Sequence, residues 1–229
     1  MAEAQRAPLP GGPMQASGHA QRMNRMYRNQ RHIYDLTRRY YLLGRDRLIA
    51  DLDLPEGGQA LEIGCGTGRN LVLAAQAHRT ARFFGMDISD EMLVSARQAA
   101  QRKGLANRII HAQGDAVNFD PVSMFGVTSF DCIFMSYTLS MIPCWQEAIE
   151  HALPLLSPGG SLHVVDFGQQ ERMPSMFRRL LFTWLGWFHV SPRAALHSVL
   201  QAAAHEHGCN LSFRPLFRGY ACHAVVTRS

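Results

Sequence analysis

Glu62, Gly64, Gly66 and Gly68 alternate through the stretch Leu61-Glu62-Ile63-Gly64-Cys65-Gly66-Thr67-Gly68-Arg69-Asn70. One acid and three glycines at that spacing can hold a small ligand against the main chain. Glycine lacks a Cβ, so each position admits positive φ and close approach. The apolar run Gln59 to Ile63 predicts a buried strand, and a helix is expected from about Asn70. A ligand in the turn between them would meet free N–H groups at a helix start. A dinucleotide fingerprint reads G-x-G-x-x-G, and here Arg69 stands where its third glycine belongs. Glu62 selects the ligand's charge, because a carboxylate repels a diphosphate and attracts an ammonium or a sulfonium.

That E-x-G-x-G-x-G run resembles the first motif of the class I S-adenosylmethionine-dependent methyltransferases. The resemblance implies S-adenosylmethionine as cofactor, held by Glu62, Gly64, Cys65, Gly66, Gly68 and Asn70. Asp87 lies 19 residues past Gly68, about where a Rossmann-type site puts an acid that accepts both ribose hydroxyls. Capping of the following helix is the structural alternative for Asp87. Ile88 would cover one face of the adenine. In Gln113-Gly114-Asp115-Ala116, Asp115 matches the family's acceptor for the adenine amino group, and the Ala116 N–H its ring-nitrogen donor. Met92 and Ser136 complete the expected cofactor set. Past the fourth expected strand, Tyr137 and Ser140 should lie near the transferred methyl, with Tyr27 and Tyr34 as further candidates for proton transfer or for holding a methylated ammonium by cation–π attraction. Arg45 could hold a substrate carboxylate and Asp166 a cationic substrate. His163 reads as a core histidine, Cys144 as a small buried thiol, and no metal site is expected.

These side chains need a frame. Strands are expected at Gln59–Ile63, Arg82–Met86, Arg108–Ala112, Phe130–Met135 and Leu162–Gly168, with helices at about Asp90–Arg102, Trp145–Leu156 and Arg193–His207. Leu211–Phe217 and Tyr220–Thr227 read as a closing antiparallel pair. This alternation predicts an α/β protein: a doubly wound Rossmann-like methyltransferase sheet with a helical N-terminal lead and a C-terminal antiparallel strand pair. The expected division is a disordered tail over 1–20, a helical substrate- or membrane-facing lead over 21–54, and an S-adenosylmethionine-binding domain over 55–229. A chain of 229 residues with 47% hydrophobic side chains can bury a full core. Its five cysteines show no C-x-x-C spacing, which suits free thiols in the cytosol.

Charge is concentrated at the front. Between Gln21 and Arg47, eight arginines face Asp35 and Asp46, a local charge of +6 against +5 for the whole chain. Arg172 to Ala195 is a second unusual stretch, crowded with Met, Phe, Leu and Trp and bordered by Arg172, Arg178, Arg179 and Arg193. Arginines beside tryptophans suit an anionic bilayer surface, while a solvated face, a lid or a dimer face are the structural alternatives. The Asn/Asp-Pro-Pro-aromatic run of nucleic-acid amino-methylating enzymes is missing after the fourth strand, so no nucleic-acid partner is expected. Tyr27 to Arg38, Leu42 to Asp46, Leu139 to Pro143 and Val165 to Gln170 together look like the N-methyltransferase of bacterial betaine-lipid synthesis. That family methylates diacylglycerylhomoserine to the trimethylhomoserine lipid, which implies a diacylglyceryl substrate and a cytoplasmic protein peripheral at the inner membrane face. Methylation of phosphatidylethanolamine, a quinone or RNA, and a non-catalytic membrane module, are the competing readings.

Overall fold

The computed structural model describes residues 41–188 and 190–229. Tyr27, Tyr34, the 1–20 tail and most of the 21–54 lead therefore lie outside the described residues. The strands are β1 Gln59–Ile63, β2 Arg82–Asp87, β3 Ile109–Gln113, β4 Phe130–Ser136, β5 Leu156–Phe167, β6 Cys209–Leu216 and β7 Ala221–Arg228. The helices are α1 Arg45–Ala50, α2 Arg69–Ala77, α3 Asp90–Arg102, α4 Pro121–Phe125, α5 Trp145–Ala152, α6 Ser175–Trp187 and α7 Leu196–Glu206.

The sheet runs β3-β2-β1-β4-β5-β7-β6. Strands β1 to β5 are parallel, and β7 is wedged antiparallel between β5 and β6. Chain order reverses between β1 and β4, which opens a crevice at the carboxyl ends of the strands. The closing pair is antiparallel as expected, with β6 outermost and Pro215 on it opposite Cys222.

Both faces of the sheet are covered, so central strands are apolar at successive positions. Phe83 joins Leu48, Leu71, Phe134 and Phe167 on one face. Its neighbour Phe84 joins Ile63, Ile133, Met135 and Ile149 on the other. Each fully buried side chain of this size contributes roughly 1.5–3 kcal/mol of transfer free energy.

Local signals set several boundaries. Ser89 caps α3 by accepting the Met92 N–H, and Asp90 and Glu91 occupy the first turn, where acids meet the positive end of the helix dipole. Asp120 accepts from Val122 and Ser123 ahead of Pro121, which starts the short α4. Strand β5 starts at Leu156, ahead of the expected Leu162, and its pairing with β4 shifts register between Phe130 and Cys132. Helix α5 stops at Ala152 and continues as a 3-10 turn over Leu153–Leu155, with Pro154 inside it.

Candidate active site at the strand ends

The glycine loop leaves β1 with Gly64, Gly66 and Gly68 all at positive φ (73°, 54° and 78°). Side chains would not fit at two of them. A Cβ on Gly64 would stand 2.3 Å from Thr138 Cγ2, and one on Gly68 2.9 Å from Ala96 Cβ. The loop amides, however, are not free. Gly64 and Cys65 both donate to Met86 O, Gly66 donates to Asp87 Oδ2, and Gly68 donates to Cys65 O. This corrects the expectation of open N–H groups. The loop is braced against β2, and it offers no amide nest for a phosphate at those four positions.

The polarity of the crevice comes from Glu62. It is 1% exposed. Asn70 Nδ2 donates to its Oε1 at 2.7 Å, and among the described residues Oε2 has no partner. Burial pushes the carboxyl up to about 8, against the opposing pull of the Asn70 amide and the Arg45 guanidinium. A half-satisfied buried acid with a bare oxygen fits a cationic group and is costly without one. Cys65 was expected beside the cofactor. Its amide is bonded to Met86 and its sulfur lies against Gly85, where a Cβ would stand 3.1 Å away. It packs under the loop, and burial raises its thiol pKa well above the usual value.

Asp87 ends β2 at the crevice. Its two oxygens accept from Gly66 N at 2.8 Å and Ser89 N at 2.9 Å. It thus braces the glycine loop and the Ser89 that caps α3 at once, at the position expected for a ribose acid. Ile88 is half-buried beside it and Met92 is fully buried. Asp115 lies past β3, where its Oδ1 accepts the Val117 N–H, and Ala116 is buried next to it.

On the acceptor side, Ser136 and Ser140 are buried, and the Ser136 hydroxyl has no partner among the described residues. Tyr137 sits between them at φ 57°. Its hydroxyl donates to the Leu43 carbonyl, and its ring meets Phe167 edge-on at 4.6 Å. Burial raises its pKa well above that of a free phenol, so it does not supply a phenolate. Tyr137 thus ties the end of the lead to the sheet. Asp166 is likewise engaged. Its oxygens accept from Phe167 N at 2.7 Å and Ser140 N at 3.0 Å, and burial raises it to about 6. It organises the loop after β4. Arg45 lies near enough to Glu62 and Tyr137 to lower both pKa values, and its Nε donates to Leu42 O.

Two positioning residues had no sequence signal. Thr138 covers Gly64 and donates to Ile63 O. Arg193 donates to Leu139 O and Ile142 O, clasping the same loop from the far side. One minor reading needs amendment, while His163 lies in the core as expected. Cys144 is exposed at the start of α5. His163 bonds Ser161 through Nε2, while its Nδ1 has no partner among the described residues. No cluster of metal-ligating side chains occurs among the described residues.

Sheet order and glycine crevice together define a Rossmann-like methyltransferase fold. Residues 61–162 match a family model described as a methyltransferase domain. The ubiquinone/menaquinone biosynthesis C-methyltransferase of Roseobacter denitrificans is 30% identical over 59% of this chain and 55% of its own length. The 2-phytyl-1,4-naphtoquinone methyltransferase of Thermosynechococcus vestitus is 33% identical over 52% of this chain and 51% of its own. The chain thus spans about half the length of these curated relatives. An O-methyltransferase family protein from Burkholderia thailandensis superposes with a TM-score of 0.66 at 16% identity, over 85% of this chain and 59% of its own. The matched domain and fold imply S-adenosylmethionine as the cofactor, and the bare Glu62 oxygen, the unfilled Gly64 cradle and the Ser136 hydroxyl fit it.

Proposed function

We propose that this protein transfers a methyl group from S-adenosylmethionine to an amine in the head group of a membrane lipid. The observation that carries the transfer chemistry is Glu62, a buried acid with one uncommitted oxygen beside a glycine loop whose described amide bonds all stay within the protein. When bound, S-adenosylmethionine supplies a sulfonium methyl for in-line displacement. The chain's own task is alignment and exclusion of water. Thr138 and Asp87 fix the glycine loop, while Asp166, Arg193 and Tyr137 fix the segment after β4.

An amine acceptor suits this arrangement. A neutral amine attacks with its own lone pair; the ammonium form must first lose its proton, and each methylated ammonium loses one before the next transfer. Tyr137 and Asp166 both bond within the protein, so that proton passes to water. Diacylglycerylhomoserine, methylated in succession to its trimethyl form, is the acceptor supported by the resemblance of the lead and of Leu139–Pro143 and Val165–Gln170. A second reading, methylation of a quinone ring, is favoured by the activities of the two quinone-methylating relatives.

The test is incubation of the purified protein with labelled S-adenosylmethionine and a panel of diacylglycerylhomoserine, phosphatidylethanolamine, demethylmenaquinone and RNA, read by mass spectrometry. Successive 14-dalton steps on the homoserine lipid are expected. Label on the quinone alone would replace the acceptor and keep the reaction. No calorimetric heat with S-adenosylmethionine would remove the reaction itself.

A further inference from the structure

Helix α6 leaves its apolar residues on the wrong side for a water-facing helix. Met176, Leu180 and Trp187 are 73%, 65% and 74% exposed. At roughly 100° per residue they fall within about 40° of one another, a single stripe along the helix. The opposite face holds the helix to the core through Leu185, while Trp184 meets Tyr41 edge-on at 4.7 Å. Core packing therefore does not account for the outer stripe.

Two further observations identify what covers it. Residues 175–187 contain no acid; Arg179 is exposed about 60° around the helix from Met176, Arg172 is exposed just ahead of the helix, and neither has a salt bridge among the described residues. The turn between β6 and β7 then adds to the same end of the molecule. Arg218 O accepts the Arg172 N–H, and Phe217 and Arg218 are both held at positive φ (51° and 61°). That strained turn presents Phe217 at 50% exposure. Left-handed backbone in two successive residues with side chains is unfavourable and is typically kept where it serves a function.

We propose that the outer stripe of α6, together with Phe217, docks on an anionic bilayer and turns the mouth of the crevice toward it. Aromatic and aliphatic side chains enter the acyl boundary, and the arginines meet lipid phosphates at the interface. The geometry delivers a lipid acceptor to the site: α6 follows β5 at its carboxyl end, and Ser191, just past the helix, donates to Ser140 O. This inference deepens the reading of a lipid-borne acceptor and rests on it for its purpose, while its test does not require turnover.

The experiment is flotation of the full chain with vesicles of phosphatidylcholine alone or with 30% phosphatidylglycerol, at low and high salt. Wild type should bind the anionic vesicles at least tenfold more tightly, and less so at high salt. Leu180→Asp combined with Trp187→Asp should reduce that binding tenfold or more, with an unchanged circular dichroism spectrum and unchanged heat of S-adenosylmethionine binding. Arg172→Glu with Arg179→Glu should remove the preference for anionic lipid. Equal flotation of wild type and the Asp double variant would overturn the proposal. So would a wild-type dimer that the same variant converts to monomer without any loss of vesicle binding, because the stripe would then be covered by a second copy. If vesicles bind as expected but no S-adenosylmethionine heat is seen, docking stands and methyl transfer fails; the reverse result sinks docking alone.

Discussion

A buried carboxyl held up to about 8 is mostly neutral at pH 7, and a cation arriving beside its bare oxygen favours the ionised form. Cofactor binding should therefore expel a proton from Glu62, and affinity should rise as pH climbs toward 8. Titration calorimetry in buffers of different ionisation heat measures this release directly. Glu62→Gln should abolish the release and weaken binding by roughly tenfold to a hundredfold, the range of a charge-assisted contact worth about 1.5–3 kcal/mol. An unchanged proton count in that variant would assign the ionisation elsewhere. Tyr137→Phe is a different kind of change. It strips the Leu43 carbonyl of its donor and should destabilise the fold by about 1–3 kcal/mol. Turnover per folded molecule should be largely kept, as measured by urea unfolding alongside an activity assay.

At the level of elements, the glycine loop can be tested by separating strain from crowding. Gly64 and Gly57 share a φ of 73°, but a Cβ on Gly57 meets nothing within 4 Å while one on Gly64 collides with Thr138. Gly57→Ala should cost only the left-handed penalty of about 1–2 kcal/mol. Gly64→Ala should cost more and should lower S-adenosylmethionine affinity by displacing Thr138 or the loop. Equal unfolding penalties would show that Thr138 yields freely.

The loop also marks the limit of what the chain reveals before it folds. Its position and its positive φ values were legible, because each depends on residues within a few positions of one another. The state of its amides was not, since the acceptors Met86 and Asp87 lie on the neighbouring strand. Helix α4 was overlooked although Asp120-Pro121 carries a start signal. The engagement of Tyr137 and Asp166 was illegible because their partners, Leu43 and Ser140, come from segments that only packing brings near.

Across the whole molecule, buried titratable groups pull stability in opposite directions. Burial lowers His163 and His223 to about 4, and their rings lie 5.9 Å apart across β5 and β7. Arg214 and Asp51 flank His223. These histidines stay neutral in the fold while the unfolded chain takes up protons from about 6.5 downward, so they remove stability as pH falls from there toward 4. Glu62 and Asp166 have raised values of about 8 and 6 and act in reverse. The folded state takes up their protons first, so they add stability as pH falls and lose it as pH rises through those values. The two sets offset one another between about pH 6 and 4.5. Glu62→Gln should therefore make stability fall more steeply on acidification from pH 8 to 5 than in wild type. Urea unfolding across that range checks it, and parallel curves for the two proteins would contradict the assignment.

Pro215 has a consequence for how these molecules behave in a crowd. It stands on the outermost strand, whose free rim is a ready template for a neighbouring chain. An imino nitrogen cannot donate, so any stranger laid along that rim meets a gap in the ladder. Replacing it with Thr should leave the monomer folded yet raise light scattering at high concentration, as one copy begins to extend the next.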